Sequence, residues 1–125
     1  MNVLYDAGVL VAADRGDRIA WAEHRARLEI GLVPITTAAV VAQVSRSGQQ
    51  AQLRRLLRGC EIVPFDPDQA HEVGALLGAS RTSDVVDAHV VVVAATRHGT
   101  IITSDTGDLD RLAAHVARPL RIERI

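Results

Sequence analysis

The sequence contains no lysine; all fourteen of its basic residues are arginine. That absence excludes a phosphate-binding P-loop, which needs a lysine, and any Schiff-base chemistry. Cysteine is almost as scarce. Cys60 stands alone, so neither an intrachain disulfide nor a cysteine-built zinc site can form. It reads as a small core residue. Tyr5, Trp21 and Phe65 are the whole aromatic complement, too few for the base-stacking platforms of RRM or OB folds. No apolar run approaches the roughly 20 residues of a membrane-crossing helix. The N-terminal residues lack the basic region and cleavage site of a secretion signal, so a cytoplasmic protein without a membrane segment is expected. A net charge of −1 argues against a broadly basic coat for nucleic acid.

What remains is a chain of 125 residues with 48% hydrophobic content, the size of one domain spanning 1–125. Strand-like and helix-like segments alternate. Strands are expected near 2–6, 32–35, 61–63, 100–104 and 120–122. Helices are expected through Ala12-Ala13, then over about 17–30, 37–44, 49–58, 68–78, 85–98 and 107–114. Gly31 is expected as a helix stop, Asp68 and Asp84 as caps, and His98-Gly99 as a further stop. Such alternation predicts a mainly parallel sheet with helices on both faces.

Aspartates fall at telling places in that pattern. Asp6 ends the first apolar run, Asn2-Val3-Leu4-Tyr5-Asp6, and Asp105 ends Thr100-Ile101-Ile102-Thr103-Ser104-Asp105. Asp87 opens a long Ala/Val helix, and Asp108 follows Asp105 by about one helical turn. Open parallel sheets place their sites just beyond the carboxyl ends of the strands. Carboxylates meeting there repel one another unless a divalent cation lies between them, and hard oxygen ligands suit Mg²⁺ or Mn²⁺. Any one of these aspartates alone would read as a turn former or cap. Asp84 and Asp87, three apart, share a helix face, with Asp84 placed as a cap or supporting group and Asp87 as a ligand. Thr103 and Ser104 add hydroxyls able to orient a ligand or a phosphate oxygen. Asp110 and the histidines, including His89 and His98, show no ligand spacing and are expected as surface or cap residues.

Three stretches carry a family resemblance. Val3-Leu4-Tyr5-Asp6 resembles the first motif of PIN-domain ribonucleases, more narrowly of VapC-type toxins of toxin–antitoxin pairs. Asp87-Ala88-His89-Val90 through His98-Gly99 resembles their third motif, and Thr103-Ser104-Asp105-Thr106-Gly107-Asp108-Leu109 their fourth. The order and spacing agree over nearly the whole chain. The resemblance implies a PIN-like three-layer α/β/α sandwich and Mg²⁺- or Mn²⁺-dependent hydrolysis of RNA. It also implies a homodimer and a cognate VapB-type antitoxin. By position, Asp6, Asp87 and Asp105 become the metal ligands and Asp108 a fourth acidic residue of the catalytic set. The second motif departs from the family pattern: Gln43 stands where a glutamate is usual, which keeps an oxygen but loses a charge.

An RNA substrate needs cationic partners around an acidic centre, and arginine's planar fork suits phosphate. Arg46 shares a helix face with Gln43 and is the preferred phosphate contact, with Arg15 beyond the first motif as a second. Apolar helices over about 38–58 suggest exposed hydrophobic surface for a homodimer and an antitoxin groove. A different class remains open, a PIN-like domain that binds RNA or antitoxin with little or no cleavage. A phosphorylated receiver domain is disfavoured by the missing lysine, and a haloacid-dehalogenase fold by the missing pair of aspartates two apart after the first strand.

Overall fold

β-branched and aliphatic runs bounded by Gly, Pro and Asp become the strands, and the segments between them become helices. The computed structural model describes residues 1–125. In chain order the elements are β1 (Asn2–Tyr5), α1 (Ala7–Asp14), α2 (Arg18–Glu29), β2 (Ile35–Thr37), α3 (Ala38–Val44) and α4 (Ala51–Arg58). They continue as β3 (Glu61–Val63), α5 (Pro67–Ser80), α6 (Val85–Arg97), β4 (Gly99–Thr103), α7 (Gly107–Ala113) and β5 (Ile122–Arg124). The five strands form one sheet in the order β3-β2-β1-β4-β5. Every pairing is parallel, with Leu4 opposite both Ile35 and Ile101.

From β1 the chain moves outward through β2 to β3, then returns past β1 to β4. Right-handed crossovers in opposite directions put the two helix sets on opposite faces of the sheet. The result is a three-layer α/β/α sandwich, as the alternation predicted. The reversal also opens a crevice between the carboxyl ends of β1 and β4, the usual location of a site in such a sheet. Leu4, Tyr5, Leu10, Ile101 and Leu109 are among the buried residues of the central core. Helix α6 is buried on every side from Ala88 to Ala94, as its unbroken apolar sequence requires.

Several boundaries and placements differ from expectation. β2 covers Ile35–Thr37, after Pro34, because proline has no N–H to give the ladder. Asp66 caps α5, accepting from the Gln69 N–H at 2.9 Å, and Pro67 takes the first helical position, where a missing N–H costs nothing. Asp68 is inside that helix. β5 starts at Ile122, set by its pairing with Ile101. His98 does cap α6, in the left-handed conformation at φ 54°. His89 is fully buried, not on the surface; its Nε2 lies 2.8 Å from Gln69 Oε1 and its ring meets the Phe65 ring edge-on. The segment 38–58 exposes no large hydrophobic side chain, because Val40, Leu53 and Leu56 all turn into the core. Apolar exposure lies elsewhere, at Ile19, Ile30, Val33, Ile62 and Phe65.

Candidate metal centre

Asp6 leaves the end of β1 at the sheet's crevice and occupies the N-cap position of α1, yet its side chain makes no cap hydrogen bond. The carboxylate is held across the crevice instead. Thr103 Oγ1, from the last residue of β4, donates to Asp6 Oδ2 at 2.7 Å. That hydroxyl in turn accepts from the Asp105 N–H at 3.1 Å, and the Asp6 N–H donates to Ile102 O at 3.0 Å. Asp6 is 8% exposed, so it meets solvent only through the crevice. Gly8 makes this approach of α1 to the β4 end feasible: a Cβ there would fall 2.7 Å from the Ser104 Cβ, inside any tolerable contact.

The opposite wall is the start of α6. Asp84 caps it, its Oδ1 accepting from the Asp87 N–H at 3.0 Å, and Asp87 lies in the first turn. Asp108 lies in the first turn of α7. Asp84, Asp87 and Asp108 each present a carboxylate oxygen, all within 4.8 Å of one another. Burial, together with the charges of Asp84, Asp6, Asp108 and Asp105, pushes the Asp87 carboxyl up from 3.8 to about 7. No ion pair relieves this crowd: the arginines that pair with acids do so at Glu23, Glu61 and Glu123. An all-oxygen, strongly anionic set with no cationic partner fits a hard divalent ion such as Mg²⁺ or Mn²⁺.

Asp6, Asp87, Asp105 and Asp108 thus surround one crevice. Asp105 is exposed, with Oδ1 accepting from the Gly107 N–H at 3.1 Å, and it stands outside the tightest trio. Asp84 stands within it. The sequence signal for Asp84 was its spacing of three from Asp87, which serves a cap and a ligand equally well. Ser104 is exposed and abuts Gly8. Gln43 is exposed on α3, and its side chain makes no hydrogen bond to the protein. Arg46 curls back on the end of α3, its Nη1 donating to Ser45 O at 2.8 Å. Arg15 lies at the far end of α1 from Asp6, on a cavity of about 780 Å³ that Ser104, Ile19, Arg27 and Ile125 also line. Neither arginine forms an ion pair with the carboxylates.

Comparison with known proteins agrees with this architecture. A family model described as PIN domain matches residues 3–115. Among solved structures, VapBC2 from Rickettsia felis bound to a promoter DNA fragment superposes with a TM-score of 0.69 at 16% identity, covering 100% of this chain and 99% of that one. A toxin–antitoxin complex from Klebsiella pneumoniae gives 0.68 at 21% identity, covering 97% and 100%. DNA-bound VapBC from Salmonella typhimurium gives 0.67 at 14% identity, covering 99% and 98%. At these identities the likeness is one of fold. A comparison with curated proteins returns no match. The family model spans most of the chain, and the motif order, the parallel sheet and the aspartates at its crevice accord with it: the chain belongs to the PIN domain family.

Proposed function

We propose that this protein is the toxin of a toxin–antitoxin pair, a divalent-metal-dependent endoribonuclease that hydrolyses RNA phosphodiester bonds. The observation that carries the reading is the crowding around Asp87, where five aspartates converge without a cationic side chain among them. Asp6, Asp87 and Asp105 would hold the ion, with Asp108 and Asp84 adding charge beside it. A bound divalent ion supplies Lewis-acid polarisation of the phosphate and a more acidic water.

The chain's own groups prepare that chemistry. Thr103 fixes one oxygen of Asp6 and leaves the other free for a ligand. Asp84 holds the start of α6 by its cap bond, and Asp105 holds the start of α7 through Gly107, so three walls of the crevice are set before anything binds. Burial and like charge push the Asp87 carboxyl up to about 7, and a divalent ion held beside it would favour its ionised form. RNA as substrate follows from the motif resemblance. The partner is an antitoxin, as the solved neighbours are toxin–antitoxin assemblies. The apolar side chains left exposed at Ile30, Val33 and Ile62 support a homodimer.

The test is cleavage of a pooled RNA with Mg²⁺ or Mn²⁺, against a chelator control and Asp6→Asn, alongside calorimetry of Mn²⁺ binding. Products ending in 5′-phosphate, lost in both controls, are expected. Cleavage that survives the chelator overturns the metal-dependent reading. Metal and RNA binding without product would favour the binding-only domain, which the uncharged, exposed Gln43 supports.

A further inference from the structure

Positive charge in this molecule is segregated, and its densest surface is not at the carboxylate crevice. No acidic residue lies between Glu29 and Glu61, while four arginines do. Three of them, Arg54, Arg55 and Arg58, fall on the eight-residue helix α4. Leu53 and Leu56 turn inward and all three arginines outward. Spacings of three and four put like charges side by side on one helix face, which costs the isolated helix a few tenths of a kcal/mol per pair. None of the three has an ion-pair partner.

The fold extends this face. Arg18, Trp21 and Arg25 share one side of α2, at i, i+3 and i+7. Trp21 donates its indole N–H to Ala13 O at 3.0 Å, which fixes the ring. The Arg55 guanidinium lies over that ring, 4.5 Å from its centroid, so a side chain of α4 reaches α2 at Trp21. Arg55 thus covers the anchored indole, and four further exposed arginines, Arg18 and Arg25 on α2 and Arg54 and Arg58 on α4, lie on the two helices that this contact joins. Acids border the face at Asp17, which caps α2, at Asp14, which accepts from Gln50 Nε2 at 3.0 Å, and at Glu29, but none forms an ion pair with these arginines. Local stability does not explain the arrangement, since unpaired like charges oppose it.

We propose that the α2–α4 face is a track for the sugar–phosphate backbone of single-stranded RNA. It would hold the strand on the side of the molecule where α1, which packs against α4, leads up to Asp6. A repeating anion matches several guanidinium groups spaced along a helix, and each can bind phosphate through paired hydrogen bonds. Base edges have no reader there, so the track holds RNA without choosing its sequence. This inference rests on the nuclease reading for its choice of RNA over a protein partner.

The test is binding rather than cleavage. In an Asp6→Asn background, a labelled single-stranded RNA of mixed sequence is titrated by fluorescence anisotropy across a salt series. Arg54→Gln/Arg58→Gln is compared with its parent, Arg55 being kept because it packs on Trp21. The double variant should bind about tenfold more weakly. Its salt slope should fall by about 1.4, because each phosphate neutralised on a single strand contributes about 0.7. Mn²⁺ binding by calorimetry should be unchanged in Arg54→Gln/Arg58→Gln with Asp6 intact, which shows that the fold and the crevice survive. Equal RNA affinity and slope in parent and variant overturn the proposal. So does retained RNA binding with loss of antitoxin capture on co-expression, which would assign the face to the protein partner. If the parent binds RNA in the expected arginine-dependent way but the chain with Asp6 intact never cleaves, the nuclease reading fails and the track stands.

Discussion

Tyr5 and Asp6 are consecutive residues at the end of β1, and each enters a polar cluster. Around Tyr5 every group is matched. Arg27 Nη1 donates to the Tyr5 hydroxyl at 3.1 Å, and that hydroxyl lies 2.9 Å from His24 Nδ1. Arginine can only donate, so the hydroxyl accepts there, and it is paired as well with His24 Nδ1, the direction of that bond following the histidine tautomer. Burial pushes Tyr5 up to about 12 and holds His24 below its ordinary value, Arg27 adding to the second effect. Both rings stay neutral, and one positive charge is shared with Glu23 at 3.8 Å. Around Asp6 the opposite holds: carboxylates of like charge face one another and no arginine reaches them. Alternation along the strand sends the two side chains to opposite faces, one into a satisfied network and the other into an unsatisfied one. A satisfied network stabilises a fold; an unsatisfied one keeps binding energy available for a ligand.

The contrast can be broken most sharply at Asp87. Asp87→Asn should reduce RNA cleavage by more than the roughly 10- to 100-fold that losing a ligand's supporting hydrogen bond usually costs. Tyr5→Phe should leave the rate per folded molecule unchanged, and initial rates normalised to folded protein compare the two. Thr103→Val removes the hydroxyl that orients Asp6 and should weaken Mn²⁺ binding by about 10- to 100-fold in calorimetry. An unchanged affinity would mean that Asp6 needs no such support.

On the satisfied side, Tyr5→Phe leaves the buried His24 Nδ1 without its hydrogen-bond partner. It should lower unfolding stability by about 2 kcal/mol in urea melts. Loss of only a few tenths would show that the network is relaxed in solution.

The two clusters should also respond oppositely to pH in metal-free protein, and Asp87→Asn separates them. Asp87 rises from 3.8 unfolded to about 7 folded, so the native state binds more protons between those values and loses stability as pH rises through them. Asp87→Asn should therefore match the wild type near pH 4, become the more stable as pH rises, and keep its full advantage above about 7. Thermal melts with a chelator present read the crossover. His24, held low, acts in the other direction and destabilises both proteins as pH falls below its ordinary value. The smallest effect is expected at Gln43. Gln43→Glu should tighten Mn²⁺ binding by no more than several-fold, since the side chain is exposed and solvent screens its charge. Equal affinities in calorimetry would remove Gln43 from the site.

Much of this was readable along the chain. The alternation of β-branched runs with helical ones fixed the fold class, and Asp6 and Asp105 stood visibly at strand ends. Boundaries were less legible, because Thr36 and Thr37 serve a strand as readily as a helix start: Thr37 does cap α3, accepting from the Val40 N–H at 3.1 Å, while pairing with Ile62 and Val63 makes both residues the end of β2. His89 misled because a histidine's polarity says surface, whereas a place in the middle layer and a bond to Gln69 made burial tolerable.

By itself, then, the sequence determined which residues each local element carries and which side of that element they share, since periods of 3.6 and 2 are set by the backbone. It determined that acids collect at the strand ends and that arginines fill the stretch from 30 to 60. Tertiary structure alone decided that Asp84 and Asp108 meet beside Asp87, that Gly8 must lack a side chain to clear Ser104, and that Trp21 lies beneath Arg55. Each of these joins residues more than twenty positions apart. Their meeting depends on the reversal of strand order at β1 and on how the helices settle over the sheet, and no local period encodes either.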